Sequence, residues 1–174
     1  MFALALALAH QIKKVKLMKK TNAMRLLSAA KIPYKSILYQ YDSENLDVAK
    51  IAEENGLPLA QVYKSLVLQG SSKQLLMALV PGDRQLDLKG LKKSLGLKQL
   101  DLLAQAQLQA KTGYIRGGCS PLGLKQPIPI YMDQRALDLP LFAINAGKRG
   151  ILLELSPLAL KELLQIEVLP LSKG

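Results

Sequence analysis

Two apolar runs, Val62 to Gln69 and Gln74 to Val80, lie on either side of Gly70-Ser71-Ser72. Each run has strand length and is rich in Leu and Val, and the segment between them is made of turn residues. That arrangement predicts a buried β-hairpin. A hairpin this apolar cannot stand in water, so the rest of the chain has to cover it. A length of 174 residues is enough for one domain with a sizeable core, and about half the residues are apolar.

The segments around the hairpin supply the cover. Thr21 or Asn22 caps a helix carrying Ala23, Leu26, Leu27 and Ala30 at helical spacing, before Pro33. Tyr34 to Tyr41 reads as a strand, Asp42-Ser43-Glu44-Asn45 as a polar loop, and Asp47 to Glu54 as a short helix stopped by Asn55-Gly56. After the hairpin, Asp87 caps a helix that Gly96 stops, and Asp101 is expected to cap another running through Gln109. Ile128 to Met132 reads as a strand at a sheet edge, because Pro127 and Pro129 lack donors. Leu141 to Ile144 and Ile151 to Leu155 form a second hairpin around Asn145 to Gly150. Ser156-Pro157 opens a helix to about Gln165, and Val168-Leu169 adds a last short strand. Hairpins and helices alternate without a βαβ rhythm. The expected class is α+β, a single domain with a mixed, mostly antiparallel, barrel-like β-sheet and surrounding helices.

Charge and scarcity then narrow the function. The chain carries 24 Lys and Arg against 13 Asp and Glu, a formal charge of +11. Lys13, Lys14, Lys16, Lys19 and Lys20 fall within an acid-free start, yet residues 21–174 still carry +6. A basic body favours a polyanionic partner such as nucleic acid. One Cys (Cys119) and one His (His10) exclude a disulfide framework and a structural zinc site. A His-based catalytic pair would have to use His10, outside the domain. Any enzyme built on this chain works with Lys, Tyr, Asn, Ser, carboxylates, backbone amides or the substrate itself.

Phe2 to Ala9 is an apolar run of eight followed by the basic residues. It is too short to span a bilayer, and its charge follows the run where a secretory signal has it before. Residues 1–17 are read as an extension outside the fold, residues 18–174 as the domain, and the setting as cytoplasmic, with no membrane partner.

Four features could carry chemistry. Gly117-Gly118-Cys119-Ser120-Pro121 can turn backbone N–H groups toward an anion or oxyanion, or can simply be a tight turn. Asn145-Ala146-Gly147-Lys148-Arg149-Gly150 places two cations in a glycine-flanked loop, for phosphate or only for solvent. Lys64 opens an apolar strand; it either points into a cleft or guards an exposed strand end. Cys119 looks like a nucleophile, but it has no His to activate it and reads better as a small space-filling residue.

In order, Lys64 in V-Y-K-S-L, Gln85-Leu86-Asp87-Leu88-Lys89, and Thr112-Gly113-Tyr114 before Gly117 to Gly123 form a set. Gly147-Lys148-Arg149-Gly150 before the strand with Glu154 completes it. The set resembles the YbaK/EbsC family, relatives of the editing domain of bacterial prolyl-tRNA synthetases, over roughly Met18 to Leu169. The resemblance implies a trans-editing hydrolase that deacylates mischarged aminoacyl-tRNA, chiefly Cys-tRNA(Pro) or Cys-tRNA(Cys). Aminoacyl-tRNA and, transiently, prolyl-tRNA synthetase are the implied partners, with no metal or other cofactor. It implies Lys64, Gly117 and Gly118 as catalytic. Tyr39, Ser65, Cys119, Ser120, Pro121, Asn145 and Gly147 are implied to bind substrate, and Lys148 and Arg149 to contact tRNA phosphate. Ser65 stands where the family usually has Thr, and Cys119 where relatives often have an aliphatic residue. Asn145 replaces a usual Ser and Leu152 a usual Asp.

The implied mechanism fits the shortage of bases: the aminoacyl thiol attacks its own ester and leaves as a thiolactone, while the protein supplies position and an oxyanion hole. The departures at Asn145 and Leu152 keep an alternative open, editing of another amino acid such as alanine. A non-catalytic tRNA- or synthetase-binding module is the other rival.

Overall fold

The computed structural model describes residues 1–44 and 46–174, with side chains described throughout except at positions 11, 12 and 14–17. Asn45, the last residue of the expected polar loop, lies outside them.

The expected hairpin is the centre of the molecule. Strand β2 (Tyr63–Gly70) pairs antiparallel with β3 (Leu75–Pro81) from Tyr63 opposite Pro81 to Gln69 opposite Leu75. A short 3-10 turn at Ser71–Lys73 joins them. Every residue of β3 is buried. Leu75, Met77 and Leu79 face one apolar cluster, and Leu76 and Val80 face another, so the sheet is covered on both sides. Each such Leu or Val contributes about 1.5–3 kcal/mol by burial.

Three more strands complete this sheet in the order β5-β2-β3-β6-β9, with β5 at Leu100–Leu102, β6 at Ile130–Asp133 and β9 at Glu167–Leu169. β5 is antiparallel to β2, whereas β6 runs parallel to both β3 and β9. A second sheet, all antiparallel, holds β1 (Lys35–Leu38), β8 (Ile151–Leu155) and β7 (Phe142–Asn145) in the order β1-β8-β7. β4 (Gln85–Leu86) and β10 (Ser172–Lys173) form a small pair. One parallel bridge, Val62 to Ala143, joins β2 to β7. The main core lies between the two larger sheets. The fold is mixed α+β, but its strands group into three sheets and do not close into a barrel among the described residues.

Helices α1 (Phe2–Leu17), α2 (Asn22–Ala29), α3 (Val48–Glu54), α4 (Leu88–Ser94), α5 (Gln105–Thr112) and α6 (Pro157–Leu164) surround the sheets. The side chains of Thr21, Asp47, Asp87 and Ser156 accept from the backbone N–H groups of Met24, Ala49, Gly90 and Ala159, each cap supplying about 1 kcal/mol. Along α1 the side chains of Phe2, Leu4, Leu6 and Leu8 are exposed. Among the described residues no helix is long and apolar enough to cross a membrane.

Three expectations need correction. Asp101 does not cap a helix: it lies in β5 opposite Gln69, and α5 starts four residues later, after Ala104. Pairing with the apolar β2 outweighs a local capping preference. The strand at Ile130 is not at an edge; it lies between β3 and β9. Pro127 and Pro129 precede it, and the Pro129 carbonyl still accepts from Met77 N at 2.9 Å, so their missing donors cost nothing. The strand expected over Tyr34 to Tyr41 is only Lys35–Leu38, which leaves Tyr39 just beyond its end.

Candidate active site

β2 is paired on one side along its whole length, but not on the other. There β5 reaches only Leu68 to Gly70, and Leu103 N donates to Val67 O at 2.9 Å. At the opposite end the backbone of β7 bridges only Val62, the residue before β2. Between these points no strand among the described residues covers residues 63–66, and a cavity of about 470 Å3 occupies the gap. Because it opens at the edge of the strand, Lys64 and Ser65 both line it although they point to opposite faces.

Around the gap stand α3 with Val48 and Ile51, the start of α5 with Gln105, the glycine loop with Arg116, Gly117 and Cys119, Asn145 from the end of β7, and Leu152 from β8. The wall thus combines one apolar side with one lysine, one arginine and a glycine backbone.

Lys64 is half-buried, and its ammonium donates to the Arg84 carbonyl at 2.6 Å. Burial lowers its pKa, while Asp83 nearby acts the other way. The two readings of Lys64 therefore merge: it borders the cavity, and its head group is held by the loop after β3. An ammonium has three donors, so this bond leaves others for a ligand.

The glycine loop is shaped for close approach. Gly117 has φ +81°, and a Cβ there would come within 2.7 Å of a Leu46 methyl. Gly118 has ordinary φ, its N–H donates to Ile115 O at 2.9 Å, and it does not line the cavity. The backbone amides of Gly117 and Cys119 donate to no protein acceptor among the described residues. Those two amides belong to residues that line the cavity, whereas the Gly118 amide is taken. Burial pushes the Cys119 thiol up to about 12, so it stays protonated and poorly nucleophilic. Ser120 is fully buried, with its hydroxyl accepting from Leu122 N, and Pro121 is buried beside it; both shape the loop from behind the cavity wall.

Asn145 ties three pieces together. Its amide nitrogen donates to Gly117 O at 2.6 Å and reaches the Tyr39 hydroxyl at 3.4 Å, while its side-chain oxygen accepts from Gly147 N at 2.9 Å. Tyr39 is buried, its own N–H donates to Gly150 O, and burial raises its hydroxyl pKa. Gly147 has φ +86° against the Tyr114 ring and stays outside the cavity wall. Lys148 is exposed, and Arg149 Nε donates to the Arg116 carbonyl at 2.7 Å, beyond the cavity on the α1 side.

The structure therefore gathers Tyr39, Lys64, Ser65, Gly117, Cys119 and Asn145 around one cavity and leaves Gly118, Ser120, Pro121, Gly147, Lys148 and Arg149 behind or beside it. Sequence reasoning missed Arg116, Gln105, Tyr63 and the aliphatic residues of α3. Arg116 adjoins Gly117 and Tyr63 precedes Lys64, so both could have been found from that proximity alone; Gln105 and the residues of α3 reach the cavity only through tertiary packing.

The aminoacyl-tRNA editing domain family matches residues 42–163. EbsC of Enterococcus faecalis, whose proposed activity is Cys-tRNA(Pro)/Cys-tRNA(Cys) deacylation, is 39% identical over 150 residues, 86% of this chain and 92% of that one. The proline–tRNA ligase of Trichlorobacter lovleyi is 34% identical over 101 residues, 58% of this chain and 18% of the ligase. A solved structure described as a proposed trans-editing enzyme for prolyl-tRNA synthetase has the same fold, with TM-score 0.75 at 24% identity over 90% of this chain and all of that one. By sequence and by fold, this chain belongs to the aminoacyl-tRNA editing domain family.

Proposed function

We propose that the protein is a free-standing deacylase that removes cysteine from mischarged tRNA(Pro), and from Cys-tRNA(Cys). One observation carries the reading: the cavity joins Lys64, Arg116 and the open amides of Gly117 and Cys119, and holds no imidazole or carboxylate. Such a wall receives an anionic or developing-oxyanion ligand and offers no general base. The reaction then has to supply its own nucleophile.

Lys64 and Arg116 hold the phosphate and ribose of the terminal adenosine, and the ester carbonyl lies against the loop amides. The substrate thiol attacks its own ester carbonyl. A sulfur–carbon bond forms, the carbon–oxygen bond to the ribose breaks, and the thiol proton ends on the ribose hydroxyl. Cysteine thiolactone leaves, and water opens it to cysteine. Orientation and the amide donors each lower the barrier by several kcal/mol. Lys148 and Arg149 contact phosphates farther along the acceptor end, and prolyl-tRNA synthetase delivers the substrate in a transient complex.

A second reading, removal of alanine by a bound water, is favoured by Leu152, which makes part of the wall aliphatic. Deacylation of tRNA(Pro) charged separately with cysteine, alanine and serine decides between them. Fast release from cysteine with slow release from serine supports the thiol mechanism; preference for alanine supports the second; no release from any overturns both.

A further inference from the structure

The chain has 13 acidic residues, and none of them lines the cavity. The positions left undescribed contain no acid, so the statement covers every side-chain carboxylate. The acids closest to the wall in sequence are turned to other work. Asp47 caps α3 through Ala49 N at 2.9 Å, and Asp101 accepts from Gln99 Nε2 at 3.1 Å. Glu154 stands two residues beyond Leu152 on the same face of β8, in register with Lys35 and Ala143 and outside the wall. Asp83 acts on Lys64 from outside the wall. The titratable residues that line the cavity are Lys64, Arg116, Tyr39, Tyr63 and Cys119, with Arg149 acting on Tyr39 from the side and Asp133 and Asp83 acting on Tyr63. At neutral pH, every charge in the wall is positive.

An aminoacyl ester brings an α-amine. As an ammonium it would enter an apolar cavity beside two cations with no counterion, and burial and like charge both disfavour that form. As a neutral amine it meets neither penalty. The Ser65 hydroxyl, buried in the wall without a hydrogen-bond partner, can accept from it. An α-amine titrates near pH 8, so at pH 7 roughly one substrate in ten is already neutral.

From this wall we infer that the cavity selects acyl groups uncharged at the α-position: aminoacyl esters with the amine deprotonated, and acyl esters with no amine at all. The inference rests on the cavity being the acyl site proposed above. It makes Leu152 a specificity-determining residue through the charge it withholds.

Two non-hydrolysable probes test it in the full chain: 3′-alanylamido-3′-deoxyadenosine and its propionyl counterpart, with dissociation constants measured from pH 5.5 to 9. Neither has a thiol, so the α-amine is the only titrating difference. The propionyl probe reports any titration of Lys64 or other protein groups. Relative to it, the alanyl probe is expected to weaken about tenfold for each pH unit below its amine pKa. Leu152→Glu, where it folds, should return most of that loss at pH 6. Alanyl binding at pH 6 as tight as at pH 9, relative to propionyl, overturns the inference while leaving the acyl site in place. Failure of both probes to bind at any pH overturns the site assignment and the inference with it.

Discussion

The two halves of β2 belong to one strand of the same hairpin and have opposite fates. From Val67 to Gly70 the strand is paired on both sides, and Val67 and Leu68 are buried. From Tyr63 to Leu66 it is paired only with β3, and Lys64, Ser65 and Leu66 remain partly exposed along the cavity. Among the described residues, the buried side-chain atoms without hydrogen-bond partners, Tyr63 OH and Ser65 Oγ, both lie in this half. One half supplies stability; the other leaves polar groups unpaired beside the cavity. A site arises where sheet pairing stops before the strand does.

Substitutions in the two halves should separate these roles. The largest effect on stability is expected in the paired half: Leu68→Ala, fully buried, should cost about 2–5 kcal/mol in denaturant unfolding. In the open half, Lys64→Ala should leave the unfolding midpoint nearly unchanged and lower kcat/KM for deacylation on the order of a hundredfold. Equal losses of stability from both would erase the distinction. Opposite the open half, Gly117→Val combines a positive φ with the Leu46 contact and should lower activity at least tenfold, with about 1–3 kcal/mol of strain. Gly118→Ala, at ordinary φ with its nearest neighbour at 3.4 Å, should be much milder. A parent-like Gly117→Val enzyme would mean that the loop is only a turn. The smallest effects are expected away from both halves. Cys119→Ala should keep most activity, and iodoacetamide at pH 8 should hardly label the parent, because a thiol with a pKa of about 12 is almost wholly protonated there. A covalent cysteinyl-protein intermediate is not expected; covalent labelling by substrate, seen by mass spectrometry, would make Cys119 the nucleophile. Deletion of residues 1–17 should change neither folding nor turnover, and a clear loss of activity would bring His10 back into consideration.

Much of the candidate site was legible one residue at a time. Lys64 is conspicuous because charge is rare in so apolar a strand, and the glycine loop because its composition departs from everything around it. Their assembly was not legible. Nothing in the local sequence says that Asn145 fastens Gly117 to Gly147, or that the amide of Gly118 is taken by Ile115 while those of Gly117 and Cys119 remain open. The status of Ser120 was likewise hidden, since a serine in a glycine loop reads as a ligand contact until its hydroxyl is found capping Leu122 N.

Local chemistry determined the elements that carry their own signals. Side-chain oxygens at Thr21, Asp47, Asp87 and Ser156 start helices, and two predominantly apolar runs make β2 and β3, because these preferences act within a few residues. Tertiary structure decided what depends on partners far along the chain. Asp101 joined a strand because β2 offered an edge, and the segment after Pro129 became an interior strand because β3 and β9 lay on either side. The cavity exists because β5 stops opposite Leu68 and the backbone of β7 bridges only Val62. A missing neighbour leaves no trace in the strand that lacks it, which is why the order of the sheet, and not the sequence of β2, placed the site.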